Sequence, residues 1–383
     1  MSDWKIQLAQ LDYDGRETQA AAAVVDSAWL TMGARTAEFE AQFAEFLGGG
    51  CTALAVSSCT AALHMSLLAL GVGPGDDVVI PALTFVAAAN VVRMVGATPV
   101  VADCASLDDW NVSAKTLSRA ITPATRAVII VHFAGYPCQM AEITELCQAR
   151  GIPLIEDTAH APGAMIAGES CGTFGDIGCF SFFSNKNLAT GEGGMAVARD
   201  PDLVQRLRHL RSHGMTTLTM DRHKGRATSY DVAAPGLNYR IDEVRSAIGL
   251  VQLDKLPAGN QQRRELTDAY RRALADVDVA MPFSGLPNDT VSACHILPVL
   301  LPEGTDRQAA MAHLKRQGIQ SSIHYPAFSE FTAYQDRIRP DDATIATEIS
   351  ARELTLPLYP AMSVDDVATV CTALANAITE TTG

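Results

Sequence analysis

The sequence predicts an α/β protein, in which a large domain with a mostly parallel sheet of about seven strands flanked by helices precedes a smaller C-terminal α/β domain. Three observations support this prediction. Short apolar runs without polar alternation recur between amphipathic segments, which is typical of parallel strands covered on both faces. After about residue 250 the order of segments changes. At 383 residues the chain is also too long for one small core.

The N-terminal part of the chain supplies the predicted sheet. Residues 16–48 have helical spacing and end in a run of glycines. Five strands are predicted at TALAVS, DDVVIPAL, TPVVAD, RAVIIVHF and IPLIEDTA, with helices at TAALHMSLLALG, VAAANVVRMVG and MAEITELCQARG. IGCFSFF and GGMAVAR add two more strands, which brings the sheet to about seven.

The C-terminal part follows a different order. A helix at QQRRELTDAYRRALA leads to a strand at CHILPVLL, a helix near DRQAAMAHLKRQG and a last helix from Val364. We therefore predict a large domain over residues 1–250 and a small C-terminal domain over residues 251–383, with the boundary near LDKLPAGN.

Composition narrows the functional class. Apolar residues make up 48% and charged residues 19%, as in a globular enzyme. The net charge of −14 argues against a nucleic-acid or anionic-membrane surface, because both need clustered Lys and Arg. No apolar run reaches the ~18–20 residues of a membrane span, and the N-terminus lacks the apolar core of a signal peptide. Nine cysteines without a CxxC pair, and scattered histidines, predict a reducing cytoplasm and no metal site.

The residues that directly follow the predicted strands are the candidates for chemistry, because ligands bind beyond the carboxyl ends of parallel strands. TALAVS ends in Ser57-Ser58-Cys59-Thr60, where a helix begins at once. Such a helix start is either an ordinary N-cap or a seat for a phosphate. IPLIED ends in Asp157, with His160 three residues later. This aspartate either caps the next turn or is the counter-ion of a cationic heterocycle.

Lys186 is the third candidate. Among the six lysines of the chain it alone follows a predicted buried strand, and it precedes the glycine-rich GEGG. A solvated turn residue is the plain alternative, but a desolvated lysine has a lowered pKa that suits Schiff-base chemistry. A phosphate seat, an aspartate and a lysine are the three contacts that pyridoxal 5′-phosphate (PLP) needs, so their combination predicts this cofactor.

The sequence also resembles a known family over nearly its whole length, the PLP-dependent sugar aminotransferases of the DegT/StrS type, which have fold type I. The resemblance is carried by WLTMGARTAEFE, SSCTAALH, PALTFVAAAN, HFAGYPCQM, EDTAHAPGA, SFFSNKNLATGEGGM, GLNYRIDEVRSAIGLVQL and SSIHYPAF. The stretches EDTAH and SFFSNKNLATGEGG are the most specific of these motifs.

The resemblance implies roles around the cofactor ring. Lys186 matches the Schiff-base lysine, and Asp157 matches the partner of the pyridine nitrogen; these two are the expected catalytic residues. Phe85 matches the aromatic residue that stacks on the ring, with a core phenylalanine as the plain alternative. His160 matches a residue beside the ring, near its phenolic oxygen.

The resemblance also implies a phosphate site and a homodimer. The backbones of Cys59 and Thr60, with the Ser181 hydroxyl, match the phosphate cradle, although Cys59 stands where the family usually has glycine. Asn238 matches an asparagine that reaches the cofactor of the neighbouring subunit, so the active sites are expected to be shared across a homodimer.

On the substrate side, His324 and Tyr325 fall where the family contacts substrate, with a plain structural role as the alternative. HYPAFSEF lacks the second histidine that is common after this motif in relatives. Residues 327–332 shape the sugar side of the pocket in the family, so the sequence leaves the identity of the sugar open there.

The expected reaction is a ping-pong transamination. L-Glutamate is the expected amino donor, PLP and pyridoxamine 5′-phosphate (PMP) are the expected cofactor forms, and a nucleotide-linked 4-keto-6-deoxy sugar is the expected acceptor. Amination at C4 is favoured by His160 and by HFAG, which resemble the C4 group. Arg240, Arg211 or His213 are candidate positive charges for the diphosphate. No nucleic acid or membrane partner is expected.

Three alternatives remain open from the sequence. The acceptor can instead be a cyclitol ketone. A PLP-dependent sugar dehydratase shares the family's fold, but the relatives with that activity carry histidine in place of the lysine, so Lys186 argues against it. A cofactor-binding regulatory protein is the third possibility, although no helix-turn-helix segment or basic patch is visible.

Overall fold

The computed structural model describes residues 4–216, 229, 231–334 and 343–381. Its strands are β1 Thr52–Val56, β2 Asp77–Pro81, β3 Thr98–Ala102, β4 Thr125–Val131, β5 Leu154–Asp157, β6 Met165–Ile166, β7 Glu169–Ser170, β8 Ile177–Ser181, β9 Gly194–Ala198, β10 Thr290–Val291, β11 Leu297–Leu300 and β12 Glu353–Leu356. Its helices are α1 Gly15–Asp26, α2 Ala34–Phe46, α3 Cys59–Ala69, α4 Ala87–Met94, α5 Ala114–Ala120, α6 Met140–Arg150, α7 Pro201–Arg211, α8 Glu243–Ala273, α9 Arg307–Arg316, α10 Thr344–Arg352 and α11 Val364–Thr381.

The main sheet has seven strands in the order β1-β9-β8-β5-β4-β2-β3. Within it, β9 runs antiparallel to both of its neighbours, and the other pairings are parallel. The predicted fold class is therefore confirmed. Strands β2, β4, β5 and β8 are almost entirely buried, because helices cover both faces of the sheet.

The carboxyl ends of the strands meet at one edge of the sheet. The register pairs Val131 with Asp157 and Asp157 with Cys179, so the ends of β4, β5 and β8 are level. Since β1 and β8 are both antiparallel to β9, β1 also ends at this edge. Residues far apart in the chain are thereby brought together where ligands bind in such sheets.

The C-terminal part contains a two-stranded antiparallel sheet of β11 and β12, together with α9, α10 and α11. Helix α8 has 31 residues and includes Pro257, so it runs through the segment in which the sequence predicted a boundary. Pro257 lacks an N–H group and removes one hydrogen bond from the helix, but the helix continues. The division at residues 250 and 251 therefore falls inside α8 and stays a prediction.

Other differences from the sequence prediction are local. The helical pattern over residues 16–48 is split into α1 and α2 by the segment 27–33, and the small sheet β10-β6-β7 was not predicted. All nine cysteines are unpaired, and eight are buried, as expected for small apolar residues. Among the described helices, none is long and apolar enough to cross a membrane.

Candidate active site

A cavity of about 350 Å³ opens at the carboxyl edge of the main sheet. The structure brings nine of the ten predicted site residues to its wall, and these are Cys59, Thr60, Phe85, Asp157, His160, Ser181, Lys186, His324 and Tyr325. The tenth, Asn238, is exposed on a segment that pairs with Ser212 and does not line this cavity.

The start of α3 provides unpaired hydrogen-bond donors. The Ser58 hydroxyl caps the helix by accepting the N–H of Ala61 at 3.1 Å. Among the described residues, none accepts a hydrogen bond from the backbone N–H of Cys59 or Thr60. These two donors at the positive end of an 11-residue helix suit a phosphate group.

A glycine on β9 allows the close approach that forms this wall. A Cβ atom on Gly194 would lie 2.5 Å from the carbonyl carbon of Ser58 and 2.6 Å from the nitrogen of Cys59. Any side chain at position 194 would therefore push the start of α3 away from β9. Ser181, at the end of β8, pairs with Gly194 in the sheet and also faces the cavity.

Asp157 ends β5 and is 6% exposed. One carboxylate oxygen, Oδ1, accepts the backbone N–H of Ala159 at 3.0 Å and lies 3.7 Å from the Cys59 thiol. The other oxygen, Oδ2, has no hydrogen-bond partner in the described part of the chain. Burial raises the pKa of Asp157 above its usual range, because the charged form loses its contact with water. A cation placed next to this carboxylate would stabilise its charged form. The turn-capping role and the counter-ion role thus belong to different oxygens of the same side chain.

Lys186 is partly buried, and its side chain reaches the cavity. Burial lowers its pKa from an ordinary value of 10.5 to about 8, so it is far easier to deprotonate than a solvated turn lysine. Its Nζ lies 3.3 Å from Nε2 of His295, a buried residue that the sequence did not single out.

The hydrogen bonds around His295 determine which of its nitrogens carries the proton. The Nδ2 of Asn260 donates to the carbonyl of Pro162 at 2.9 Å, and its Oδ1 accepts from the Nδ2 of Asn187 at 2.8 Å. The Asn187 oxygen therefore faces Nδ1 of His295 at 2.9 Å. Nδ1 must be the N–H, so Nε2 is an acceptor and Lys186 donates to it. Burial, with the Lys186 charge beside it, holds the pKa of His295 well below its usual range and keeps the ring neutral.

A second histidine is held in the opposite tautomer. Nδ1 of His160 accepts the backbone N–H of Ala134 at 3.2 Å, so its Nε2 carries the proton and donates to the Tyr325 hydroxyl at 3.0 Å. Burial keeps the pKa of His160 well below its usual range. His160 therefore presents a neutral N–H to Tyr325 rather than a charge to the cavity.

Phe85 is 55% exposed and lies on the cavity wall, with its ring 5.7 Å from that of Tyr325. A core phenylalanine would be buried, so the plain alternative for Phe85 is wrong. An open aromatic face beside the cavity suits stacking on a planar ring.

His324 is held by the C-terminal strand β12. Its Nδ1 lies 2.8 Å from the Thr355 hydroxyl, and its backbone N–H donates to Glu353 at 2.8 Å. Its Nε2 has no hydrogen-bond partner among the described residues, while the side chain lines the cavity. Glu353 and Thr355 gave no signal in the sequence, because no motif or strand end marks them.

The three candidate charges for a diphosphate are placed differently from the prediction. Arg211 is buried, forms an ion pair with Glu40 and donates to the carbonyl of Ala55 at 2.9 Å. It is thus occupied in joining α7 to β1. Arg240 and His213 are described but, like Arg211, do not line the cavity.

Known proteins resemble this chain in sequence and in fold. The model of the DegT/DnrJ/EryC1/StrS aminotransferase family matches residues 12–375. The aminotransferase TlmJ from Streptoalloteichus hindustanus is 36% identical, with a TM-score of 0.90 over 98% of this chain and 99% of that chain. DesV from S. venezuelae, solved with a ketimine intermediate, is 31% identical, with a TM-score of 0.87 over 95% and 94%. The putative sugar aminotransferase Spr1654 from Streptococcus pneumoniae, in its PLP form, is 26% identical, with a TM-score of 0.90 over 97% and 98%.

Proposed function

Because this chain belongs to the DegT/DnrJ/EryC1/StrS aminotransferase family and is a PLP-dependent sugar aminotransferase, we propose that it moves the amino group of L-glutamate to a nucleotide-linked keto sugar. The observation that carries this proposal is the convergence on one cavity of an easily deprotonated lysine, a buried carboxylate with one unpaired oxygen, and two unpaired N–H groups. When it is bound, PLP supplies an electrophilic carbon for the amino group and a ring that takes up electrons as Cα loses a proton.

The residues of the chain divide the work between them. The N–H groups of Cys59 and Thr60, with the Ser181 hydroxyl, would hold the phosphate, and the exposed face of Phe85 would be available to the ring. Oδ2 of Asp157 would be the partner of the pyridine nitrogen and would keep it protonated, because a buried carboxylate stabilises an adjacent cation. Lys186 is the covalent attachment point and, once free, carries the proton to and from the Cα of the amino acid.

The acceptor that we propose is a 4-keto-6-deoxy sugar linked to a nucleoside diphosphate, in amino-sugar biosynthesis. A cyclitol ketone is the alternative acceptor. The presence of Lys186 on the cavity argues against a dehydratase, because the relatives with that activity carry histidine in place of the lysine. Incubation with ¹⁵N-labelled glutamate and a panel of keto sugars and cyclitol ketones, read by mass spectrometry, would identify the product. A labelled aminocyclitol without a labelled amino sugar would overturn the sugar assignment.

We also propose a cytoplasmic homodimer. Phe85 and Phe183 are 55% and 45% exposed at the cavity, and a second subunit would cover such aromatic surface. Asn238 faces outward, as a residue that contacts the neighbouring subunit's cofactor would. Nine reduced cysteines favour the cytoplasm. Analytical ultracentrifugation that gives the mass of a single chain would contradict the shared active site.

The visible absorption spectrum tests the function directly. We expect the PLP-loaded protein to have a visible band that L-glutamate bleaches and that 2-oxoglutarate restores. The band is expected to be missing from Lys186→Ala, because the lysine makes the covalent bond. If L-glutamate leaves the visible band of the PLP-loaded protein unchanged but another amine bleaches it, the proposed donor is wrong and the cofactor assignment stands.

His295 is proposed to position Lys186, and this gives a second test. His295→Phe retains the ring volume but removes the acceptor, so we expect kcat to fall about tenfold, which corresponds to one hydrogen bond of about 1.4 kcal/mol. His295→Gln can donate to Asn187 and accept from Lys186, and it is expected to retain most of the wild-type rate. A wild-type rate in His295→Phe would show that His295 only fills space.

A further inference from the structure

A buried carboxyl group near the cavity has no role in the transamination steps described so far. Glu353 and Thr355 are both 0% exposed on β12, and both contact His324. The segment that carries His324 runs along β12, since Ser322 and Thr355 exchange both of their backbone hydrogen bonds. The positions of Glu353, Thr355 and His324 are therefore fixed relative to one another by the sheet.

The side chains form one continuous line of hydrogen bonds. One carboxylate oxygen of Glu353, Oε1, contacts the Thr355 hydroxyl, and that hydroxyl contacts Nδ1 of His324 at 2.8 Å. The other oxygen, Oε2, accepts the backbone N–H of His324 at 2.8 Å. At the far end, Nε2 of His324 has no partner among the described residues, and the side chain lies on the cavity wall.

A hydroxyl group between two titratable groups couples their proton positions. If Glu353 is protonated, its O–H donates a hydrogen bond to the Thr355 hydroxyl, and that hydroxyl donates to Nδ1 of His324. Nδ1 is then an acceptor, so Nε2 carries an N–H that faces the cavity. If Glu353 is ionised, Thr355 donates to the carboxylate and accepts from Nδ1–H, so Nε2 becomes an acceptor. The imidazole stays neutral in both states, and one proton has moved from Glu353 to the cavity.

We propose that Glu353, Thr355 and His324 form a proton relay that serves the carbonyl oxygen of the keto substrate. This inference rests on the proposed transamination. The carbonyl oxygen must leave as water and needs a proton to do so. Nε2–H of His324 supplies it, Nδ1 takes the Thr355 proton, and Thr355 takes the proton of Glu353. The ionised Glu353 is reprotonated by the reverse path in the other half-reaction, when water adds to form the carbonyl of 2-oxoglutarate and gives up a proton to Nε2.

The charges around the relay are consistent with both states. Burial raises the pKa of Glu353 to about 8, against the opposing effects of the Thr355 and His324 hydrogen bonds and the Arg307 charge. Burial, with the Lys186 charge, lowers the pKa of His324 to about 4, so the ring remains neutral near neutral pH. Tyr325 also faces Glu353, and burial raises its pKa, so it remains protonated. Of Glu353, His324 and Tyr325, Glu353 is therefore the one that changes state near pH 8.

The first test reads the tautomer of His324 without any reaction. In PLP-loaded protein with ¹⁵N-histidine, the His324 ring signals are assigned by their loss in His324→Gln. We expect the ring to change from Nε2–H to Nδ1–H as the pH rises through about 8. In Glu353→Gln the amide oxygen accepts the backbone N–H of His324, so the amide N–H group must donate to the Thr355 hydroxyl. That hydroxyl then donates to Nδ1, and the ring is expected to keep its proton on Nε2 at every pH. A wild-type ring with one tautomer from pH 7 to pH 9 would overturn the relay.

The second test measures single turnovers of PMP-loaded protein with 2-oxoglutarate, whose carbonyl oxygen has the same need for a proton as that of a sugar. Thr355→Val is expected to lower this rate by about 10²-fold, within the range for a positioned acid–base group. Thr355→Ser retains the hydroxyl and is expected to stay within about threefold of wild type, and Glu353→Gln is expected to match Thr355→Val.

These variants distinguish a proton relay from a cluster that only supports the fold. Glu353→Gln keeps an acceptor for the His324 backbone, so a merely structural Glu353 would leave its rate at the wild-type value, and that result would overturn the proposal. Because Lys186 titrates in the same pH range, the comparison is made between variants at one pH. A wild-type protein that reacts with 2-oxoglutarate but with no keto sugar would disprove the proposed acceptor and leave the relay in place.

Discussion

Replacing Lys186 with alanine is expected to lower turnover by at least about 10⁴-fold, the upper end of the range for a lost acid–base group, because the covalent attachment point is lost as well. The fold should persist, since the side chain faces the cavity rather than the core. The measurement is kcat for amination with L-glutamate as donor, together with the visible spectrum. Lys115→Ala removes an exposed lysine on α5 and is the matched control. A Lys186→Ala protein within tenfold of wild type would refute the catalytic assignment.

The same side chain gives a prediction for stability. The pKa of Lys186 is lowered from 10.5 to about 8 in the folded apoprotein, so the unfolded chain binds more protons between these values. The contribution of Lys186 to the stability of the apoprotein should therefore rise with pH over this window. Below about pH 8, Lys186→Met should be the more stable apoprotein by about 3 kcal/mol, and the difference should vanish as the pH approaches 10.5. Denaturant unfolding at pH 7 and pH 10.5 measures this, and a pH-independent difference would contradict the burial argument.

Asp157→Asn is expected to lower kcat by about 10²–10³-fold, the usual loss when one preorganised electrostatic partner is removed. Asparagine keeps the shape and can accept the N–H of Ala159, but it brings no negative charge to the ring nitrogen. PLP should still bind through Lys186 and the N–H groups of Cys59 and Thr60. The measurements are kcat and the pH at which the spectrum of the bound cofactor changes.

The control for this variant is Asp254→Asn, which neutralises a carboxylate that is 76% exposed. Solvent screens the charge of such a carboxylate, so its removal should have little effect on buried groups. Both variants change the net charge equally, so a general charge effect would appear in both. If Asp157→Asn retained the wild-type kcat, the carboxylate would be a structural cap through Ala159 rather than the partner of the ring.

Much of this site could be predicted from the sequence for a definite physical reason. Lys186, Asp157 and Thr60 each follow an apolar strand within a few residues, and the ends of parallel strands meet at one edge whatever their separation in the chain. The strands themselves were predictable because burial on both faces removes polar alternation. The motifs of the family then gave these residues specific roles.

Other features needed the tertiary structure. His295 lies 109 residues after Lys186, in an apolar run, and it becomes a partner of the amine only where the C-terminal part of the chain meets the main sheet. Its tautomer depends on the orientation of two asparagine amides, which no local pattern encodes. The segment LDKLPAGN, with Pro257 and Gly259, indicated a boundary, yet helix α8 continues through it and packs against α1, α2 and α11.

Glu353 shows the difference most clearly. In the sequence it is a charged residue that no motif or predicted element marks, and a solvated position would be the ordinary expectation. In the structure it is fully buried, hydrogen-bonded to Thr355 and to the backbone of His324. The periodicity of the segments and the motifs are local properties of the chain and were predictable from it. Which distant polar groups share one line of hydrogen bonds, and where their protons reside, was decided only by the packing of the two sheets around the cavity.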